Sequence, residues 1–379
     1  MKIDFYLKEL IEKNGSDLHL KVGRPPLMRI LGELIPTSHP PLSKKELEDI
    51  LLSMLTEMQL NKLEKERDVD FSYLIEGVAR FRGNIFHQMG CLGGVFRCIP
   101  FSIKTIDDLG LPEVLKDISS QQQGLILVTG PTGCGKSTTL AAMVHHINER
   151  ANKHIVTVED PIEFVHQDIK CTINQREIGS DARTFTEAVK KAMRQDPDVI
   201  LIGEMRDNET INMALRASET GHLVLSTLHT TYAKQSINRI IDAFPLEDQQ
   251  YVRVRTSMTL RAVIAQKLIV KADGSGRIAA MEIMLNTATI RKMIAEDRLN
   301  EIDKIIVDSK KLYKMQSLNQ HLFDYVRDGI ITRDEALASS INPNDLKIMF
   351  STLLTGLEKE PTPEKAVPKT LTPPWMKSS

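Results

Sequence analysis

The chain has no apolar run approaching the roughly 18 residues of a membrane span. Its first segment, MKIDFYLKELIEKNGSD, mixes charges into the apolar positions and lacks a secretory h-region. The four cysteines (Cys91, Cys98, Cys134 and Cys171) form no CxxC pair, which argues against a zinc site and fits reduced thiols. Charge of one sign is also missing: 49 Lys and Arg stand against 50 Asp and Glu, for a formal net charge of −1. Aromatic residues make up 5% of the chain. A nucleic-acid motor wants a basic groove and stacking aromatics, so no nucleic acid is expected as a partner. No internal repeat is visible, and no basic amphipathic helix or lipidation signal stands out. The expectation is a cytoplasmic protein, at most peripherally associated with the inner membrane through partners.

What is present is an ordinary globular composition, 41% hydrophobic and 26% charged, over 379 residues, a length suited to two or three domains. Residues 1–100 read as a small α/β domain. DFYLKELIEKNG carries Phe5, Leu7, Leu10 and Ile11 at helical spacing. SDLHLKVG alternates Leu18, Leu20 and Val22 against Asp17, His19 and Lys21, the pattern of a strand with one buried face. LSKKELEDILLSML is a second amphipathic helix, with Ser43 as its N-cap. DVDFSYLI, ARFRGNIFHQMG and GGVFRCIP read as further strands of one sheet. A linker at 101–111, bounded by Pro100 and Pro112, leads into 112–285. There GLILVTG, HIVTVED, DVILIGE and HLVLSTLHT alternate with helical runs, which predicts a mainly parallel sheet. Residues 286–356 read as helices. The Pro-rich, charged end, 357–379, reads as disordered, with Trp375 a possible anchor for a short binding motif.

The chemistry concentrates in GPTGCGKST. Gly130-Pro131-Thr132-Gly133-Cys134-Gly135-Lys136-Ser137 matches G-x-x-x-x-G-K-[ST] in full, and Thr138 follows. The bare pattern arises by chance in only about 1% of chains this long. Here a strand precedes it and a helix follows. Glycines let backbone N–H groups converge on phosphate oxygens, and the helix adds its positive end. Lys136 is placed for the β and γ phosphates of ATP, and Ser137 for a hydroxyl on Mg²⁺. Carboxylates follow at two strand ends: Glu159-Asp160 with Glu163, and Glu204 with Arg206 and Asp207. An ATPase needs one carboxylate for magnesium or its waters and another for the attacking water. Gly203 stands where the strand-end Asp is usual, so Glu204 is the candidate for the Walker B role. His222 and His229 flank one strand run; each reads either as a hydrogen-bonded structural histidine or as a catalytic candidate, and His229 suits a sensor of the γ-phosphate. Arg80, Arg82 and Arg97 read either as surface charge on a sheet or as arginine fingers, and spacing does not decide between them.

Together these blocks resemble the secretion-type AAA-like ATPases, most closely the PilT/PilU retraction ATPases of type IV pili, over residues 1 to about 350. SDLHLKVGRPP is similar to the N-terminal signature, GPTGCGKSTTLAAM to Walker A, TVEDPIEFVH to the Asp box, DPDVILIGEMRD to Walker B and ETGHLVLSTLHT to the His box. The resemblance implies an α/β protein with a PAS-like N-terminal domain, a RecA-like P-loop ATPase domain and C-terminal helices. It also implies a homohexamer with nucleotide between domains, acting on an inner-membrane pilus platform protein, with a paralogous retraction ATPase as a further candidate partner. In that family's terms Glu163 and Glu204 are the catalytic and Walker B glutamates, and the N-terminal arginines act in the site. Two departures matter. The tetracysteine zinc motif of assembly-type relatives has no counterpart. The retraction motif A-I-R-N-L-I-R-E is met by Thr289-Ile290-Arg291-Lys292-Met293-Ile294-Ala295-Glu296, which agrees at four positions, and this C-terminal region leans toward the PilU branch.

Overall fold

The computed structural model describes residues 3–30, 32–99 and 103–356, with the side chains of 352–356 left out of that description. Pro100 at the head of the expected linker, and the segment 357–379 with Trp375, lie outside the described residues.

Six antiparallel strands form the N-terminal sheet: β1 (Asp17–Lys21), β2 (Leu27–Ile30), β3 (Glu33–Pro36), β4 (Asp68–Ile75), β5 (Ala79–Gln88) and β6 (Cys91–Ile99), in the order β3-β2-β1-β6-β5-β4. Leu18, Leu20, Met28, Phe71, Phe81 and Phe96 point to one face and pack against the helices Ile3–Glu12, Lys44–Leu52 and Glu57–Glu66. The expected Ser43 cap is present as a full capping box, its hydroxyl accepting from the Glu46 N–H while the Glu46 carboxylate accepts from the Ser43 N–H.

The opposite face of this sheet departs from expectation. Asp17, on the polar side of its strand, is only 4% exposed, paired with Arg97 Nε at 2.8 Å and Arg29 Nε at 3.7 Å. Strand register lines up Arg29, Asp17, Arg97 and Arg82 in one row across β2, β1, β6 and β5. The arginines of the row stay solvent-accessible, so the row buries its one carboxylate while the face itself remains polar.

The second sheet has seven strands: β7 (Gly124–Thr129), β8 (His154–Glu159), β9 (Thr172–Glu177), β10 (Val199–Ile202), β11 (Leu223–Leu228), β12 (Leu260–Val270) and β13 (Arg277–Leu285), ordered β13-β12-β7-β11-β10-β8-β9. All pairings are parallel except the β12–β13 hairpin at one edge. Strands β7, β10 and β11 are buried along their whole length, as unbroken apolar runs predict. Helices cover both faces. The C-terminal helices pack on the hairpin through Ile269, Ala280, Leu322 and Tyr325. The helix Ala288–Ala295 carries the degenerate retraction motif; its matching residues Ile290 and Ile294 are fully buried, so packing alone explains part of the agreement.

Candidate active site

Strand β7 runs straight into the phosphate loop, and the helix Lys136–Arg150 leaves it. Gly130 has φ +143°, and a Cβ there would sit 2.4 Å from the Gln266 carbonyl oxygen and 2.6 Å from the Cys134 sulfur. Gly135, at the helix N-cap, has φ +87°. Both positions therefore require glycine. The Lys136 ammonium donates to the carbonyls of Gly130 (2.9 Å) and Pro131 (3.1 Å), which lays it across the loop at the positive end of the helix. Cys134 is buried against the loop, and burial pushes its thiol up.

A residue with no signal in the sequence holds this loop from behind. Gln266 on β12 is 3% exposed; its Nε2 donates to the Cys134 carbonyl (2.6 Å), and its Oε1 accepts from the Thr139 hydroxyl (2.8 Å).

The cleft in front of the loop measures about 640 Å³ and gathers Thr132, Gly133, Gly135, Lys136, Ser137 and Thr138. On its other walls stand Glu159, Asp160, Glu163, Glu204, Arg206 and His229. Parallel strands explain the convergence, since β7, β8, β10 and β11 all end at this edge. Glu204 follows β10, and its backbone is fixed by the Gly203 N–H donating to the Val158 carbonyl (2.8 Å) and the Thr227 hydroxyl donating to the Gly203 carbonyl (2.7 Å). The Glu204 carboxylate pairs with Arg206 and stands 3.5 Å from His229 Nε2. Gly203, without a side chain, leaves room for the neighbouring strand end, with the Glu159 Cα 3.4 Å from where a Cβ would lie. Burial raises the Glu159 carboxyl, against hydrogen bonds from Thr157 and Gln175.

The structure separates the two histidines. His229 lines the cleft; His222 lies at the opposite end of β11, about 20 Å of strand away. There His222 Nδ1 sits 2.9 Å from the Ala217 carbonyl and 3.1 Å from the Thr220 hydroxyl, and its own carbonyl accepts from the Gly124 N–H. Its contacts within this chain are structural.

The three arginines also part company. Arg97 reaches the cleft from β6, its Nε donating to Asp17 (2.8 Å). Burial raises the Asp17 carboxyl, but hydrogen bonds from Ser16 and Arg97 outweigh this and leave it lowered, so it remains an anion that orients Arg97. Arg82 pairs loosely with Asp70 (3.6 Å) in solvent, and Arg80 is bound to Glu177 (2.7 Å); neither lines the cleft. Arg277, Leu268 and Phe185 do, and nothing in the local sequence marks them.

The oxygens of Ser137 and Glu204 are hard donors suited to Mg²⁺. Among the described residues no group of three or more His, Cys, Asp or Glu side chains is placed to hold a metal unaided.

Residues 101–297 match the family described as Type II/IV secretion system protein. The type IV pilus retraction ATPase PilT of Pseudomonas aeruginosa is 47% identical over 325 residues, covering 86% of this chain and 94% of that protein. The type IV pilus ATPase PilU of the same organism is 38% identical over 350 residues, covering 92% of this chain and 91% of its own. Among solved structures, the pilus retraction motor PilT with bound ADP superposes with a TM-score of 0.86 at 42% identity, covering 92% of this chain and all of that one.

Proposed function

The chain belongs to the type II/IV secretion system family and is an ATPase, and from this premise we propose that it is a hexameric motor powering type IV pilus retraction. The observation that carries the reading is the single cleft in which the phosphate loop, Glu163, Glu204 and an arginine of the N-terminal sheet meet. Lys136 and the loop N–H groups bind the phosphates of ATP. Ser137 and Glu204 would hold Mg²⁺, which when bound neutralises charge on the β and γ phosphates. Glu163, exposed on the loop after β8, orients the attacking water. Glu204, held between Arg206 and His229, registers loss of the γ-phosphate, because His229 gains or loses a hydrogen-bond partner there. Arg97 couples that change to the N-terminal sheet, so that hydrolysis alters the angle between the two sheets. In a ring of six this motion would act on an inner-membrane platform protein from the cytoplasm. No helix among the described residues is long and apolar enough to cross a membrane.

A second reading is an accessory, PilU-type role beside a paralogous retraction ATPase. The longer reach of the PilU match and the altered motif at 289–296 favour it. One experiment addresses both: surface pilus number and twitching in a strain lacking the protein, complemented with wild type or Glu204→Ala. Excess pili with lost motility, restored only by wild type, supports the retraction motor. Unchanged cells point to the accessory role, and bald cells would overturn retraction altogether.

A further inference from the structure

Among the described residues, every side-chain hydrogen bond and ion pair between the N-terminal sheet unit and the ATPase unit ends on one carboxylate, that of Glu177. Glu177 closes β9 and is 4% exposed. The Ser72 hydroxyl donates to both of its oxygens, at 2.6 and 2.9 Å. Arg80 Nη2 donates to Oε2 at 2.7 Å. The same Oε2 accepts from the backbone N–H of Ile162 at 3.1 Å, and Ile162 immediately precedes Glu163. Ser72 and Arg80 lie on adjacent antiparallel strands, with register partners Ser72–Arg82 and Leu74–Arg80, so the two donors advance or retreat as one body.

We infer that Glu177 is a positioning residue: it parks Arg80 away from the phosphates in this conformation and transmits movement of the N-terminal sheet to the loop that aims Glu163. One oxygen atom is shared by the two units. Displacing the sheet withdraws two donors from a buried carboxylate, which then holds only to the Ile162 N–H and, weakly, to the Ser180 hydroxyl at 3.5 Å. A buried carboxylate short of donors is costly, so its side chain must shift toward a replacement donor or water. Ile162, 2% exposed and anchored in the core, must follow or lose its own partner. Either way Glu163, one residue on, is re-aimed. Arg80 is freed in the same event, and its Nε, buried without a partner in the parked state, opposes parking and favours release.

This inference rests on the reading of Glu163 given above, and its test separates the two. Steady-state ATP hydrolysis and binding of a fluorescent ATP analogue are measured for the full-length protein and for Glu177→Gln, Ser72→Ala, their double variant and Glu163→Gln. Glu177→Gln keeps the shape and an acceptor but removes the charge that holds Arg80. It is expected to lower kcat about tenfold with KM and analogue affinity within about twofold, because aim is lost and binding is not. Ser72→Ala is expected to lower kcat about twofold to threefold, and the double variant to be less than multiplicative, since both act on one contact. A merely structural role would instead lower the melting temperature and move kcat and nucleotide affinity together, and that result overturns the inference. Wild-type kcat in Glu177→Gln beside an inactive Glu163→Gln overturns the coupling alone. Wild-type hydrolysis by Glu163→Gln overturns the reading beneath it. Should Glu177→Gln not fold, Ser72→Ala decides, and an unchanged kcat refutes the coupling.

Discussion

Gln266 offers the sharpest test of how the phosphate loop is held. Replacing it with Leu keeps most of the volume, so no large cavity opens behind the loop, and removes two hydrogen bonds at once. The Cys134 carbonyl loses its donor at 2.6 Å, and the Thr139 hydroxyl its acceptor at 2.8 Å, both in buried surroundings. An unsatisfied buried group costs about 1–3 kcal/mol. Thr139 has an escape, because its hydroxyl can turn to the Gly135 carbonyl, which its own N–H already uses. Cys134 has none that the surrounding contacts supply. The expected sum is therefore nearer about 2–4 kcal/mol than the full pairwise maximum. Because Cys134 lies in the loop and Thr139 in the first turns of the helix that leaves it, the loss falls chiefly on the order of the loop. If the whole of about 2 kcal/mol is charged to the binding-competent loop, the dissociation constant for ATP rises about 30-fold. The assay is titration of a fluorescent ATP analogue, with thermal melts run with and without nucleotide. The stabilisation conferred by saturating ATP on the wild type should shrink in Gln266→Leu at matched concentration. Wild-type affinity together with a wild-type melt would refute the reasoning, and would mean the glycines and the helix N-terminus set the loop without support from β12.

Gly130→Ala should abolish nucleotide binding, and the melting temperature should fall by more than a simple Gly-to-Ala strain of about 1 kcal/mol implies, because the new methyl would meet the Gln266 carbonyl at 2.4 Å and φ is +143°. Glu282 supplies a prediction with a pH sign. Its buried carboxyl is pushed from 4.5 up to about 7, while its Oε1 accepts from the Ala233 N–H. Between those values the unfolded chain has released a proton that the folded protein keeps, so this group lowers stability as pH rises through the window and no further above it. The gap corresponds to about 3 kcal/mol. Glu282→Gln, which retains the acceptor for Ala233, should be more stable than wild type by up to that amount at pH 8, with the difference gone by pH 4.5, as read by chemical denaturation. Taking the difference between variant and wild type cancels the opposite contribution of His321, whose burial lowers it to about 4.

What the sequence disclosed, and what it withheld, follows from where each signal is stored. The central strands β7, β10 and β11 were legible because a strand buried on both faces must be apolar at every position, and GLILVT, VILI and LVLSTL are nearly so. The phosphate loop was legible because its glycines answer a local backbone demand. Strand β9 was not, since TINQRE at the sheet edge carries one large apolar residue among polar ones. Gln266 and Arg277 were not, because their role exists only once the β12–β13 hairpin folds beside the loop, more than a hundred residues away in the chain. Asp17 shows the deeper reason. Alternation along SDLHLKVG says correctly that Leu18 and Leu20 face the core, but about the other face it says only that it is polar. Water and a second protein unit both accept a polar face. What alternation does not give is the pairing of charges across strands: Arg29, Asp17, Arg97 and Arg82 in one row, with the Asp17 carboxylate kept ionised by its donors despite burial. Through its Asp17 partner the row holds Arg97 at the edge of the cleft, so part of this polar face borders the candidate site while Arg97 and Arg82 keep contact with solvent.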